Sequence, residues 1–133
     1  MAAKETPIGI ALILCDWIIL DEATKKRSLI GLFNSVRAQD FPAVIHKLCL
    51  LASITQLNGD VVLRLVCQNE ATGSTILSIP AKATSNNPNA VFDLAFEFDK
   101  FSFPEPGLYS FELRGDEAII LSTRCEVLKI ERA

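Results

Sequence analysis

Phe92-Asp93-Leu94-Ala95-Phe96-Glu97-Phe98 decides the fold class of this chain. Large apolar residues recur at every second position, with Asp93, Ala95 and Glu97 between them. In an extended strand successive side chains point to opposite faces. The spacing therefore puts Phe92, Leu94, Phe96 and Phe98 on one face and Asp93 and Glu97 on the other. A helix would scatter the same four residues around its circumference.

The pattern repeats on both sides of this stretch. Tyr109, Phe111 and Leu113 alternate with Ser110, Glu112 and Arg114, and Gly115-Asp116 then turns the chain into a last run, Ala118 to Ile130. Upstream, Val61, Leu63, Leu65 and Cys67 point one way, while Val62, Arg64, Val66 and Gln68 point the other. Asn58-Gly59-Asp60 supplies a hairpin turn before that strand, and Asn69 to Gly73 turns it into a run from Ser74 to Ala81. Earlier still come Ile8 to Leu20, Ser28 to Gln39 and Leu48 to Thr55. Asp40-Phe41-Pro42 ends the second of these, because proline donates no ladder hydrogen bond and restricts the residue before it. Short β-rich runs separated by turn chemistry predict an all-β antiparallel sandwich of seven or eight strands. One domain spans residues 1–133, because the polar stretch Ser85 to Asn89 separates strands that one core needs.

Size supports this. By area scaling a chain of 133 residues buries roughly two-thirds of its unfolded surface, enough for a core without disulfides or a structural metal. Half of the residues are hydrophobic. For so short a chain this means that some strands are covered on both faces or that apolar surface meets another subunit. A homo-oligomer, with a dimer favoured, is the expectation.

Charge and cysteine usage narrow the function classes. The net charge is −3, and the one basic cluster, Lys25-Lys26-Arg27, falls far short of the basic stripe that nucleic acid requires. Ile8 to Leu20 is apolar but 13 residues long and interrupted by Asp16, against ~20 apolar residues for a bilayer span. It also lacks the small residues of a signal cleavage site. The mature chain is expected to start near Met1 and to stay in the cytoplasm. Cys15, Cys49, Cys67 and Cys125 each sit in an apolar run without the paired spacing of a zinc site. They read as buried structural thiols in a reducing compartment.

Certain residues together are similar to a family of small bacterial proteins of unknown function. These are Cys15-Asp16 in an apolar strand, Ser28-Leu29-Ile30-Gly31-Leu32-Phe33, Phe41-Pro42, and Phe103-Pro104-Glu105-Pro106-Gly107-Leu108-Tyr109. The resemblance spans nearly the whole chain. It implies an immunoglobulin-like or C2-like β-sandwich and brings neither an activity nor site residues. The family pattern has a Thr-Gly-Lys turn before the Ser-Leu-Ile-Gly strand, and this chain has Thr24-Lys25-Lys26 instead.

No residue pattern assigns an activity. The single histidine, His46, stands in a connecting segment without a nucleophile-elbow motif or another triad signature. Asp93 and Glu97 on one strand face are roughly 13 Å apart at Cα, beyond the ~5–9.5 Å of glycosidic carboxyl pairs. Phosphate-cradling loops are absent. No catalytic residue, cofactor or metal ligand is assigned, and the chain is not expected to be an enzyme. The expectation is a binding or assembly module that self-associates or docks a protein partner, with Phe41, Phe101, Phe103 and Pro104 as the partner surface. A second expectation is a calcium- or lipid-dependent C2-like module, in which Asp21, Glu22, Asp60, Asp116 and Glu117 converge at a polar end. A third is a hydrolase with an unfamiliar site near His46. Asp16 interrupts an apolar strand, and its expected partner is Arg37, Arg64 or backbone N–H groups of a bulge.

Overall fold

A computed structural model describes residues 6–131; the expected start of the chain at Met1 lies outside them. The described residues form β1 (Ile8–Leu20), β2 (Arg27–Leu32), β3 (Ser35–Ala38), β4 (Ala43–Thr55), β5 (Gly59–Asn69), β6 (Thr75–Ser85), β7 (Phe92–Phe103), β8 (Gly107–Gly115) and β9 (Ala118–Lys129). No helix among them is long and apolar enough to cross a membrane. One sheet has the order β2-β1-β4-β7 and the other β3-β9-β8-β5-β6. The two make a sandwich, as the alternation requires.

The expected second run is two strands. Ser28 to Gln39 breaks at Phe33-Asn34, with β2 in the first sheet and β3 in the second. There β3 runs parallel to β9, with Ser35 opposite Glu126 and Ala38 opposite Lys129. All the other pairings are antiparallel. The count is therefore nine strands among the described residues, with one parallel pair. The third run also begins earlier than expected, at Ala43, which places His46 within β4 and not in a connection.

The core lies between the sheets. Leu12 and Leu14 of β1, Leu48, Leu50, Ala52 and Ile54 of β4, Leu63, Leu65 and Cys67 of β5, and Tyr109, Phe111 and Leu113 of β8 are all buried in it. Phe92, Leu94, Phe96 and Phe98 pack against this cluster from the β7 edge, opposite Ile54, Ala52, Leu50 and Leu48. Alternation slips once along β7. Phe98 and Phe101 both turn inward with Asp99-Lys100 between them, and Lys100 takes φ 58°. The even-numbered rule of Phe92 to Phe98 thus gives way to odd-numbered Phe101 and Phe103. No buried side-chain nitrogen or oxygen among the described residues lacks a hydrogen bond, as a closed core demands.

Register fixes the ends of the molecule. Ala43 pairs with Phe103, so Phe41-Pro42 (a cis peptide) and Pro104 to Pro106 share one end. Gly59 pairs with Ser85, and Leu63 with Gly115, so Asn58, Asp60, Asn86 and Asp116 belong to the other.

Candidate functional site

β1 serves two partners with different halves. Its residues Ile8 to Cys15 pair with β4, whereas Cys15 to Leu20 pair with β2, and the two ladders meet at Cys15. Beyond that point the β1–β2 hairpin leaves the sheet and crosses its outer face. Three contacts show this. Ile18 and Leu29 cluster with Cys15, Cys49 and Leu51, apart from the main core. The Cys49 thiol donates to the Asp16 carbonyl at 3.7 Å. The Arg27 guanidinium lies 3.8 Å from the Asp93 carboxylate on β7, two strands away from β1.

The bend has a local cause. Gly31, beside Asp16 on the facing strand, takes φ +72°, a conformation that costs glycine nothing and other residues ~1–2 kcal/mol. The Asp16 carboxylate occupies the place where a Cβ of residue 31 would stand. At the hairpin tip Lys25 takes φ 61°.

Strand alternation then leaves the hairpin with two unlike faces. Ile18 and Leu29 point down onto the sheet. Trp17 and Ile30, cross-strand partners, point away with Ile19, and Leu32 stands at the bend. Trp17 is 52%, Ile19 44%, Ile30 50% and Leu32 64% exposed. Together they present on the order of 400 Å² of apolar surface, the size of a typical monomer's largest apolar patch, which is often functional. Polar groups hold its margin. The Lys47 ammonium sits 4.7 Å from the Trp17 ring centroid, a cation–π contact, and 3.9 Å from Glu97. Ser53 Oγ donates to Asp93 at 2.6 Å.

The residues singled out by sequence are placed differently. Phe101 and Phe103 are 7% and 0% exposed, and their rings pack against each other, tilted by 58° with centroids 5.0 Å apart. This corrects the expectation that they form a partner surface: the slip at Lys100 turns both into the core. Phe41 is half-buried against the same core, and only Pro104 of the four is exposed.

The five acidic residues do not converge. Asp21 and Glu22 ride on the folded-over hairpin, whereas Asp60, Asp116 and Glu117 belong to the second sheet. Asp21 accepts the N–H groups of Ala23 and Thr24 at 2.9 and 3.1 Å, and Asp60 accepts the Thr84 hydroxyl at 2.7 Å. Among the described residues no group of three or more His, Cys, Asp or Glu is placed to hold a metal ion. Asp16 is exposed and lies against Gly31, not paired with Arg37 or Arg64; Arg64 bonds Ser78 at 3.0 Å. His46 is exposed on β4.

All four cysteines are free and buried. Burial pushes each thiol up, since a thiolate loses its hydration there: Cys125 to about 11, with Cys67, Cys15 and Cys49 raised in the same direction. In the unfolded chain these thiols ionise near ~8.5. A raised folded value means stability that is full below ~pH 8.5 and falls as pH rises toward the folded value. At pH 10 Cys125 alone is expected to cost about 2 kcal/mol relative to pH 7. Urea unfolding of wild type and Cys125→Ala at the two pH values checks this; an equal pH slope for both chains would refute it.

A sequence-family model described as a family of unknown function (DUF6941) matches residues 10–128. No curated protein matches the chain. Among solved structures it is similar to a β-glucosidase from Listeria innocua, at 13% identity and a TM-score of 0.50 over 74% of this chain and 15% of that one. The same enzyme in complex with isofagomine gives 12% identity and a TM-score of 0.49 over the same shares. The chain thus spans a small part of the enzyme's length, and likeness at this identity is likeness of fold.

Proposed function

The chain belongs to this family of unknown function, and from that premise, which carries no activity, we propose that it is a non-catalytic assembly module that self-associates through the β1–β2 hairpin. One observation carries the proposal: the outer face of the hairpin exposes Trp17, Ile19, Ile30 and Leu32 side by side. Water contact over such a patch is unfavourable by ~25 cal/mol per Å², so covering it with protein drives association. Tryptophan is among the residues that dominate interface energies, and Trp17 is held in place by Lys47. The cytoplasm, which we propose as the compartment, suits four unpaired buried thiols.

Sedimentation velocity over a concentration series tests this. The wild-type chain is expected to run as a concentration-dependent dimer. Trp17→Asp is expected to weaken it by about 2 kcal/mol or more, roughly thirtyfold in dissociation constant, with an unchanged far-UV circular dichroism spectrum. A wild-type chain that stays monomeric at millimolar concentration would sink the proposal.

A further inference from the structure

We propose that the hairpin face receives the identical face of a second copy across a two-fold axis parallel to the hairpin strands, so that the two tips meet. The proposal rests on the self-association reading above and adds its geometry. A standard interface buries ~800 Å² per partner, a little over half of it apolar. The on the order of 400 Å² that Trp17, Ile19, Ile30 and Leu32 expose is what one side of such an interface needs.

Charge selects the axis. The tip is closed by Asp21 N–H donating to the Lys26 carbonyl at 2.9 Å and Lys25 N–H donating to the Asp21 carbonyl at 2.7 Å. Asp21 and Glu22 therefore line the β1 side, and Lys25 and Lys26 the β2 side; all four are exposed. An axis parallel to the strands lays β1 of one copy over β2 of the other. Each acidic side then faces a basic side, twice over, while Trp17, level with Ile30 in the hairpin register, packs against the other copy's Ile30, also twice over. An axis across the strands would send the tips to opposite ends and forfeit these contacts. Pairing edge to edge through β2 would leave the apolar face in water. Rim charges of this kind fix register more than affinity.

Sedimentation equilibrium at about 0.05 M salt, where such charges act over more than ~10 Å, tests the axis. The chains compared are wild type, Glu22→Lys, Lys26→Glu, an equimolar mixture of these two, and the double variant. Both positions are exposed and Asp21, which bonds its own turn, is left intact. Each single variant is expected to dimerise roughly tenfold more weakly, since a reversed charge acts twice across the axis. The mixture is expected to regain wild-type affinity as a heterodimer, and the double variant to regain it as a homodimer. Single variants that dimerise like wild type, or a mixture that shows no recovery, would overturn the axis while Trp17→Asp still reported on the face. A monomeric wild type would overturn the self-association reading itself.

Discussion

Phe103→Ala is expected to destabilise the fold by about 3–5 kcal/mol, a large share of the ~5–15 kcal/mol that holds a domain folded. Phe103 ends β7 and has no exposure. Its ring packs at 4.9 Å and 61° against Tyr109 and at 5.0 Å against Phe101, which reaches Phe111 at 5.8 Å. The corner above is fastened: the Tyr109 hydroxyl donates to the Glu105 carbonyl at 2.7 Å, and Asn69 Nδ2 donates to the Glu105 carboxylate at 3.2 Å. Those bonds hold the surrounding backbone, so it collapses little into the space a truncated ring leaves, and the cavity term is near its full size. Pro104, one residue on and exposed, supplies the contrast, since Pro104→Ala is expected to stay within ~0.5 kcal/mol. Urea midpoints at unchanged slope would measure both. A Phe103→Ala cost below ~1 kcal/mol would mean that the ring is not a core member.

The same residue shows where sequence is legible and where it is not. Period-two alternation in Phe92 to Phe98 and in Val61 to Cys67 reports the sheet directly, because a strand with one buried face has no other way to dispose of its apolar side chains. Phe101 and Phe103 were ambiguous because alternation states parity and not direction. Only the extra residue between Phe98 and Phe101 hinted that the parity changes, and its meaning depends on the φ of Lys100. The division of Ser28 to Gln39 left only a weak turn signal to read, Asn34-Ser35 without an adjoining glycine or proline, and the sheet switch is a choice of neighbours. The hairpin left a signal that could be read two ways. Trp17 to Leu20 and Leu29 to Leu32 are apolar at both parities, which says that two faces want cover without saying which layer supplies it. The structure divides them: Ile18 and Leu29 are covered by the chain itself, and Trp17 and Ile30 are left to solvent. Cys15 and Cys49 likewise gave burial from sequence but not location, since they lie beneath the hairpin and Cys67 and Cys125 lie in the main core.

Gly31→Val is expected to cost about 2–4 kcal/mol and to lift the hairpin from the sheet. Two effects add. A β-branched residue at φ +72° is strained wherever it stands. At this position its Cβ would also meet the Asp16 side chain, with the carboxylate carbon at 2.8 Å and the Asp16 Cβ at 3.0 Å. Gly59 separates the two effects, because it takes φ +78° with nothing within 4 Å of an added Cβ. Gly59→Val carries the strain alone, so the excess at Gly31 measures the collision. The collision is relieved only if β2 moves away from Asp16, and that movement uncovers the cluster that Ile18 and Leu29 shield. Iodoacetamide at pH 8 should then modify Cys15 and Cys49 faster by the factor that the lost opening energy allows, up to ~30-fold for 2 kcal/mol, and ahead of Cys67 and Cys125, which are reached only when the main core opens. Self-association should weaken in the same variant, because the rows Trp17–Ile19 and Ile30–Leu32 share one face only while the bend holds them there. Equal costs at Gly31 and Gly59, with Cys15 and Cys49 modified no faster than in Gly59→Val, would show that the bend is set elsewhere. The glycine of Ser28-Leu29-Ile30-Gly31 gives the hairpin its direction, and the direction decides which apolar residues remain for a partner.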